Sequence, residues 1–77
     1  MNFDYSKLLG RIKERGYIQE ILAKEIAMSA STLNLKLKNK ASFRQKDIRK
    51  ICDVLDIPCG EVGDYFFCSE GSEKPNN

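Results

Sequence analysis

QEILAKEIAMSASTLNLKLK, Gln19 to Lys38, is the stretch that decides the fold. It predicts two short helices hinged by a tight turn at Ala27-Met28-Ser29. The first runs from about Gln19 to Ile26, where Leu22, Ala23 and Ile26 recur at three- and four-residue spacing and mark a buried face. The second starts at Ser29, whose hydroxyl suits an N-cap, and carries Leu33 and Leu37 inward. At about 100° per residue, Ser31, Asn34, Leu35 and Lys38 then face the other way. A merely solvated face is more often filled with Glu and Lys, so this small, polar face tipped with a cation is suited to contact.

Working outward, Asp4 is a natural N-cap for an earlier helix, with Phe3 and Leu8 spaced as a hydrophobic staple. Tyr5, Leu8, Leu9 and Ile12 make its inward stripe. Lys7, Arg11, Lys13 and Glu14 should face water, and Gly16 fits the left-handed residue that ends a helix. The short link through Tyr17 and Ile18 implies that this helix packs on the next. Beyond Lys38, Ser42 and Gln45 have capping-box spacing, so a fourth helix is expected to start between Phe43 and Gln45. Ile48, Ile51, Cys52 and Leu55 point inward, with Phe43 and Ile57 at the ends and Pro58 as the stop. Cys59 to Asp64 reads as one more short turn, weakened by Gly60 and Gly63. Three aromatics in a row, Tyr65-Phe66-Phe67, cannot all be buried. Phe66 is expected in the core and a neighbour at an interface. The tail SEGSEKPNN has no apolar residue and is expected to be disordered. The fold class is all-α: a compact bundle of four to five helices, one helix-turn-helix domain over 1–68 and a tail over 69–77.

Seventy-seven residues suffice for one small core. No apolar run approaches the roughly 18 residues of a membrane span, and MNFDYSK lacks the order of a signal peptide. A cytoplasmic protein is expected. With no His and three scattered thiols (Cys52, Cys59, Cys68), no metal or other cofactor is expected, and the cysteines read as reduced. No Gly-rich phosphate loop or nucleophile elbow is present, so neither an enzyme nor a small-molecule substrate is expected. Net charge is only +2, but its distribution is uneven. Seven cations crowd into Lys36–Lys50, namely Lys36, Lys38, Lys40, Arg44, Lys46, Arg49 and Lys50. Residues 51–77 hold Lys74 against six acids. Such a basic cluster is the footprint of phosphate binding.

The helix order and the pattern Q-x-x-L-A-x-x-I-x-x-S-x-S-T-L-N over Gln19–Asn34 resemble the lambda repressor and Cro class of helix-turn-helix domains. The likeness covers residues 4–67, and the ending I-P-C-G-E-V-G-D-Y-F-F is similar to small phage and Gram-positive regulators. It implies a sequence-specific regulator that occupies a double-stranded DNA operator with its second paired helix in the major groove. By position, Ala30, Ser31, Asn34 and Leu35 would read bases. Gln19, Ser29, Lys38, Lys40, Arg44 and Lys46 would meet phosphates. A homodimer on a near-palindromic operator is expected, joined through Tyr65, Phe66 and Phe67. Three positions depart from the class: Ile18 replaces a Thr or Ser cap, Ala27 replaces a turn Gly, and Ile21 is apolar where the helix faces out. A second reading, an antirepressor that keeps the fold but sequesters another regulator, would use Leu35, Ile21 and the aromatic end.

Overall fold

The chain forms five α-helices in sequence: α1 (Ser6–Glu14), α2 (Gln19–Glu25), α3 (Ala30–Leu37), α4 (Gln45–Leu55) and α5 (Val62–Phe66). One turn of 3-10 helix (Cys59–Glu61) leads into α5. The computed structural model describes residues 3–68, so the tail expected over 69–77 lies outside the described residues. No helix in it is long and apolar enough to cross a membrane.

Leu8, Ile12, Leu22, Ala23, Ile26, Leu33, Leu37, Ile51, Leu55 and Ile57 close on one another with Tyr5, Tyr65 and Phe66 as a single core. Every α-helix contributes, because the 3.6-residue period gives each a stripe that must leave water. α2 packs on α3 and on α4, while the main partner of α1 is α5 rather than α2. The short Tyr17-Ile18 link therefore places α1 beside α2 without making that pair its principal contact.

Several expectations about caps shift by a residue or two. α1 begins at Ser6, and Asp4 serves it from just outside: the Ser6 N–H and hydroxyl donate to its Oδ1 at 2.9 and 2.6 Å. Those two hydrogen bonds hold the Asp4 carboxyl below its ordinary value. Gly16 takes the left-handed φ of +83° expected after α1. Leu9 is not in the core. It is 41% exposed, because the stripe through Tyr5, Leu8 and Ile12 already fills the buried face. Arg11 does not simply face water: its Nε and Nη2 donate to the Leu55 and Asp56 carbonyls at 3.0 and 2.6 Å. A cation there satisfies orphan carbonyls and the negative end of the α4 dipole.

α4 starts at Gln45 without the Ser42 capping box. The box is displaced by Asp47, whose Oδ2 accepts the Arg44 N–H at 2.9 Å. Nor does Pro58 stop α4. Asp56 does so three residues after Asp53, by turning left-handed at φ +57°, with the Ile57 N–H returned to the Cys52 carbonyl.

The two ends of the described chain meet. The Asp4 N–H donates to the Cys68 carbonyl at 2.7 Å, and Phe3 packs edge-on to Phe67. Behind them Tyr5, Phe43 and Phe66 stack edge to face in series, with centroids 5.3 and 5.4 Å apart.

Candidate interaction surface

The paired helices α2 and α3 meet across Ile26 to Ser29. Ala27 adopts φ +58°, a left-handed angle that costs an L-residue about 1 kcal/mol and that Gly would meet freely. Ser29 caps α3 as expected: its Oγ accepts the Thr32 N–H at 3.1 Å and donates to the Thr32 hydroxyl at 2.8 Å. That hydroxyl is therefore already engaged. Ile18 starts α2 with no side-chain cap and is 60% exposed.

On α3, Leu33 and Leu37 are buried, and so is Lys36. Lys36 is thus removed from the basic cluster. Its ammonium is 2.5 Å from Oδ2 of Asp47, one of the few charged side chains in the interior. Burial pushes the Asp47 carboxyl up, but the Lys36 ammonium and the Arg44 N–H outweigh it and hold the group below its ordinary value. The pair fixes the inner side of α3 to the start of α4. The sequence signal for it was an acid at the third position of α4 with a Lys on the buried side of α3.

The outward side of α3 carries Ser31 and Leu35 exposed, with Ala30 and Asn34 half-buried. Gln19 is half-buried at the start of α2. Ser29, Lys38, Lys40, Arg44 and Lys46 are exposed around this side. The structure thus keeps those side chains at the surface, with Lys36 the one cation withdrawn. The aromatic end behaves otherwise. Tyr65 and Phe66 are 6% and 1% exposed and belong to this chain's own core, so of the three rings expected at a dimer contact these two are taken up within the chain. Phe67 alone stands out, at 54%. The short helix α5, packed against α1, thus buries both of its aromatics.

What reasoning from the sequence understated is the apolar content near the paired helices. Ile18, Ile21, Leu35 and Leu9 are each 41% exposed or more. Leu9 and Ile18 line a shallow depression with Ile12, Lys13 and Tyr17. A DNA-facing surface wants hydrogen-bond donors and cations where it meets phosphate. Ile18 at the start of α2 and Leu35 in the middle of α3 instead expose apolar side chains there.

The chain belongs to the family described as "Protein of unknown function (DUF739)", whose model matches residues 1–69. No curated protein matches it. Among solved structures it is similar to the solution structure of the modulator of repression (MOR) of the temperate bacteriophage TP901-1 from Lactococcus lactis. The two are 36% identical, with a TM-score of 0.74, over 87% of this chain and 90% of that one. This likeness overturns the expectation of an operator-occupying DNA-binding regulator. The relative is described as a modulator of repression. The roles expected of Ala30, Ser31, Asn34 and Leu35 as base readers, and of the surrounding residues as phosphate contacts, were implied by that expectation; the structure gives the positions of these side chains and not what they touch.

Proposed function

We propose that this protein is a protein-binding modulator of repression: it docks on a DNA-binding phage regulator and sequesters it, as an antirepressor does. The observation that carries the proposal is the 36% identity to a phage modulator of repression across nearly the whole of both chains. The exposed Ile18, Ile21 and Leu35 support it, since they give the paired helices an apolar surface suited to a protein. In this reading the helix order that resembles lambda repressor and Cro is a frame reused for a protein partner. Its place of action is the cytoplasm, where the regulator meets its operator.

The test is a three-component gel shift with a phage repressor and that repressor's operator DNA, beginning with the repressor of bacteriophage TP901-1. Added protein should release the regulator from DNA while giving no shifted band of its own. Leu35→Glu should weaken the complex about tenfold with unchanged helix content. A protein that shifts the operator alone, or that leaves the regulator–operator band untouched, would refute the proposal.

A further inference from the structure

α4 turns one side to open space. Ile48 and Cys52 on that side are half-buried, and with Ile57 and Val62 they floor a groove of about 490 Å³ that contains no residue of α2 or α3. Arg49 and Asp53 stand on its rim, one helical turn apart and both exposed. Neither belongs to an ion pair among the described residues.

Charge along this part of the chain is graded. Arg44, Lys46, Arg49 and Lys50 lie at the start of α4, where the one acid, Asp47, is already held by Lys36. Residues 51–68 carry Asp53, Asp56, Glu61 and Asp64 and neither Lys nor Arg. A partner of uniform charge meets repulsion at one end of the groove. The tail 69–77, without an apolar residue, has nothing to set on the floor. A second copy laid antiparallel meets neither obstacle, because its acidic half falls over the basic half of the first.

We propose that this groove is a two-fold contact between copies of this chain, with α4 packed antiparallel on α4. Residues four apart are about 6 Å apart along a helix, so a two-fold axis passing near Ile51 sets Arg49 opposite the partner subunit's Asp53. The same operation pairs Asp53 with the partner subunit's Arg49 along one edge of the contact, and lays the stripe of Ile48 and Cys52 against its own copy beside those two ion pairs. The contact is isologous and closed. It is also small beside the roughly 1,200 Å² of a stable interface, so the dimer is weak and concentration-dependent. It leaves the exposed residues of α2 and α3 free in both copies, and it does not depend on what those residues bind.

The experiment is sedimentation equilibrium of the full chain across a concentration series up to about 1 mM. The weight-average mass should climb from one chain toward two. Arg49→Asp and Asp53→Arg should each raise the dissociation constant about tenfold by facing like charges, and the double exchange should bring it back to within about threefold. Circular dichroism confirms the fold of each variant. A mass that stays at one chain throughout, single variants that associate like the wild type, or a double exchange that fails to restore pairing would each overturn the proposal.

Discussion

The two ends of α3 are held in opposite ways. At its start the cap is local: Ser29 bonds to Thr32, three residues on, and Ala27 turns left-handed in a turn that α4 reaches through a long 3.4 Å hydrogen bond from the Lys50 ammonium to the Ile26 carbonyl. At its end the contacts are distant. Lys36 reaches Asp47 on the next helix. Asn39, also left-handed at φ +64°, uses its amide as a backbone would: Oδ1 accepts the Phe3 N–H and Nδ2 donates to the Phe3 carbonyl, both at 2.9 Å, across 36 positions. A left-handed residue is therefore a cost at one end of the helix and an anchor at the other. The start of α3 is a turn that the pair imposes. Its end is a junction where three parts of the chain are pinned.

The junction should be the more sensitive. Asp47→Ala strands a buried ammonium and the Arg44 N–H, and should lower stability by about 3 kcal/mol in urea unfolding. Replacing both partners, Lys36→Met with Asp47→Leu, should recover most of that loss. The pair also sets a pH dependence. The folded Asp47 carboxyl sits below its unfolded value, so its contribution is complete above the ordinary aspartate range and vanishes as pH falls through the folded value. The melting temperature of the wild type should therefore drop below about pH 4 more steeply than that of the Met/Leu double variant.

Next in size, Asn39→Ala removes two hydrogen bonds and leaves Ala left-handed, for a loss of about 2 kcal/mol. Asn39→Gly, which keeps the angle, should lose about half as much, and the Phe3 amide should exchange faster with solvent in both. At the local end, Ser29→Ala should cost about 1 kcal/mol by thermal unfolding, the ordinary value of an N-cap. The smallest effect has the opposite sign. Ala27→Gly should raise stability by about 0.5 kcal/mol, the relief of the left-handed angle less the greater chain entropy of Gly. If Ala27→Gly proved as large an effect as Asn39→Ala, the contrast between the two ends would be wrong.

That contrast also marks how much could be read from the sequence. The Ser29 cap, the Leu33–Leu37 stripe, the left-handed Gly16 and the uncapped Ile18 all follow from residues within four positions of one another, and periodicity exposes them. Arg11 on the α4 carbonyls, Asn39 on Phe3 and Lys36 on Asp47 join residues far apart, and periodicity within one helix does not reveal which partner each finds. Leu9 and Leu8 are indistinguishable by composition. Only the docking of α1 on α5 decides that Leu8 is buried and Leu9 is not. The surface suffered a similar ambiguity. Ser31 and Leu35 stand exposed on α3, as their spacing predicts, with Asn34 half-buried between them, but outward placement does not distinguish a base edge from a protein. In the proposed reading the exposed Ile18, Ile21 and Leu35 carry that information, and each has an innocent explanation when taken singly.

The bond from the Asp4 N–H to the Cys68 carbonyl gives the molecule a mechanical property. It closes nearly the whole described chain into a ring, and closing a ring that long has already removed most of the freedom its two ends would have had. Fraying at one end therefore releases the other, and the two should loosen together rather than independently. Tension applied between residues 3 and 68 would load this clasp and the Phe3–Phe67 edge contact before it reached any helix. The first event under load would be the ring opening, with α1 and α5 parting next because they are the helices on either side of the seam.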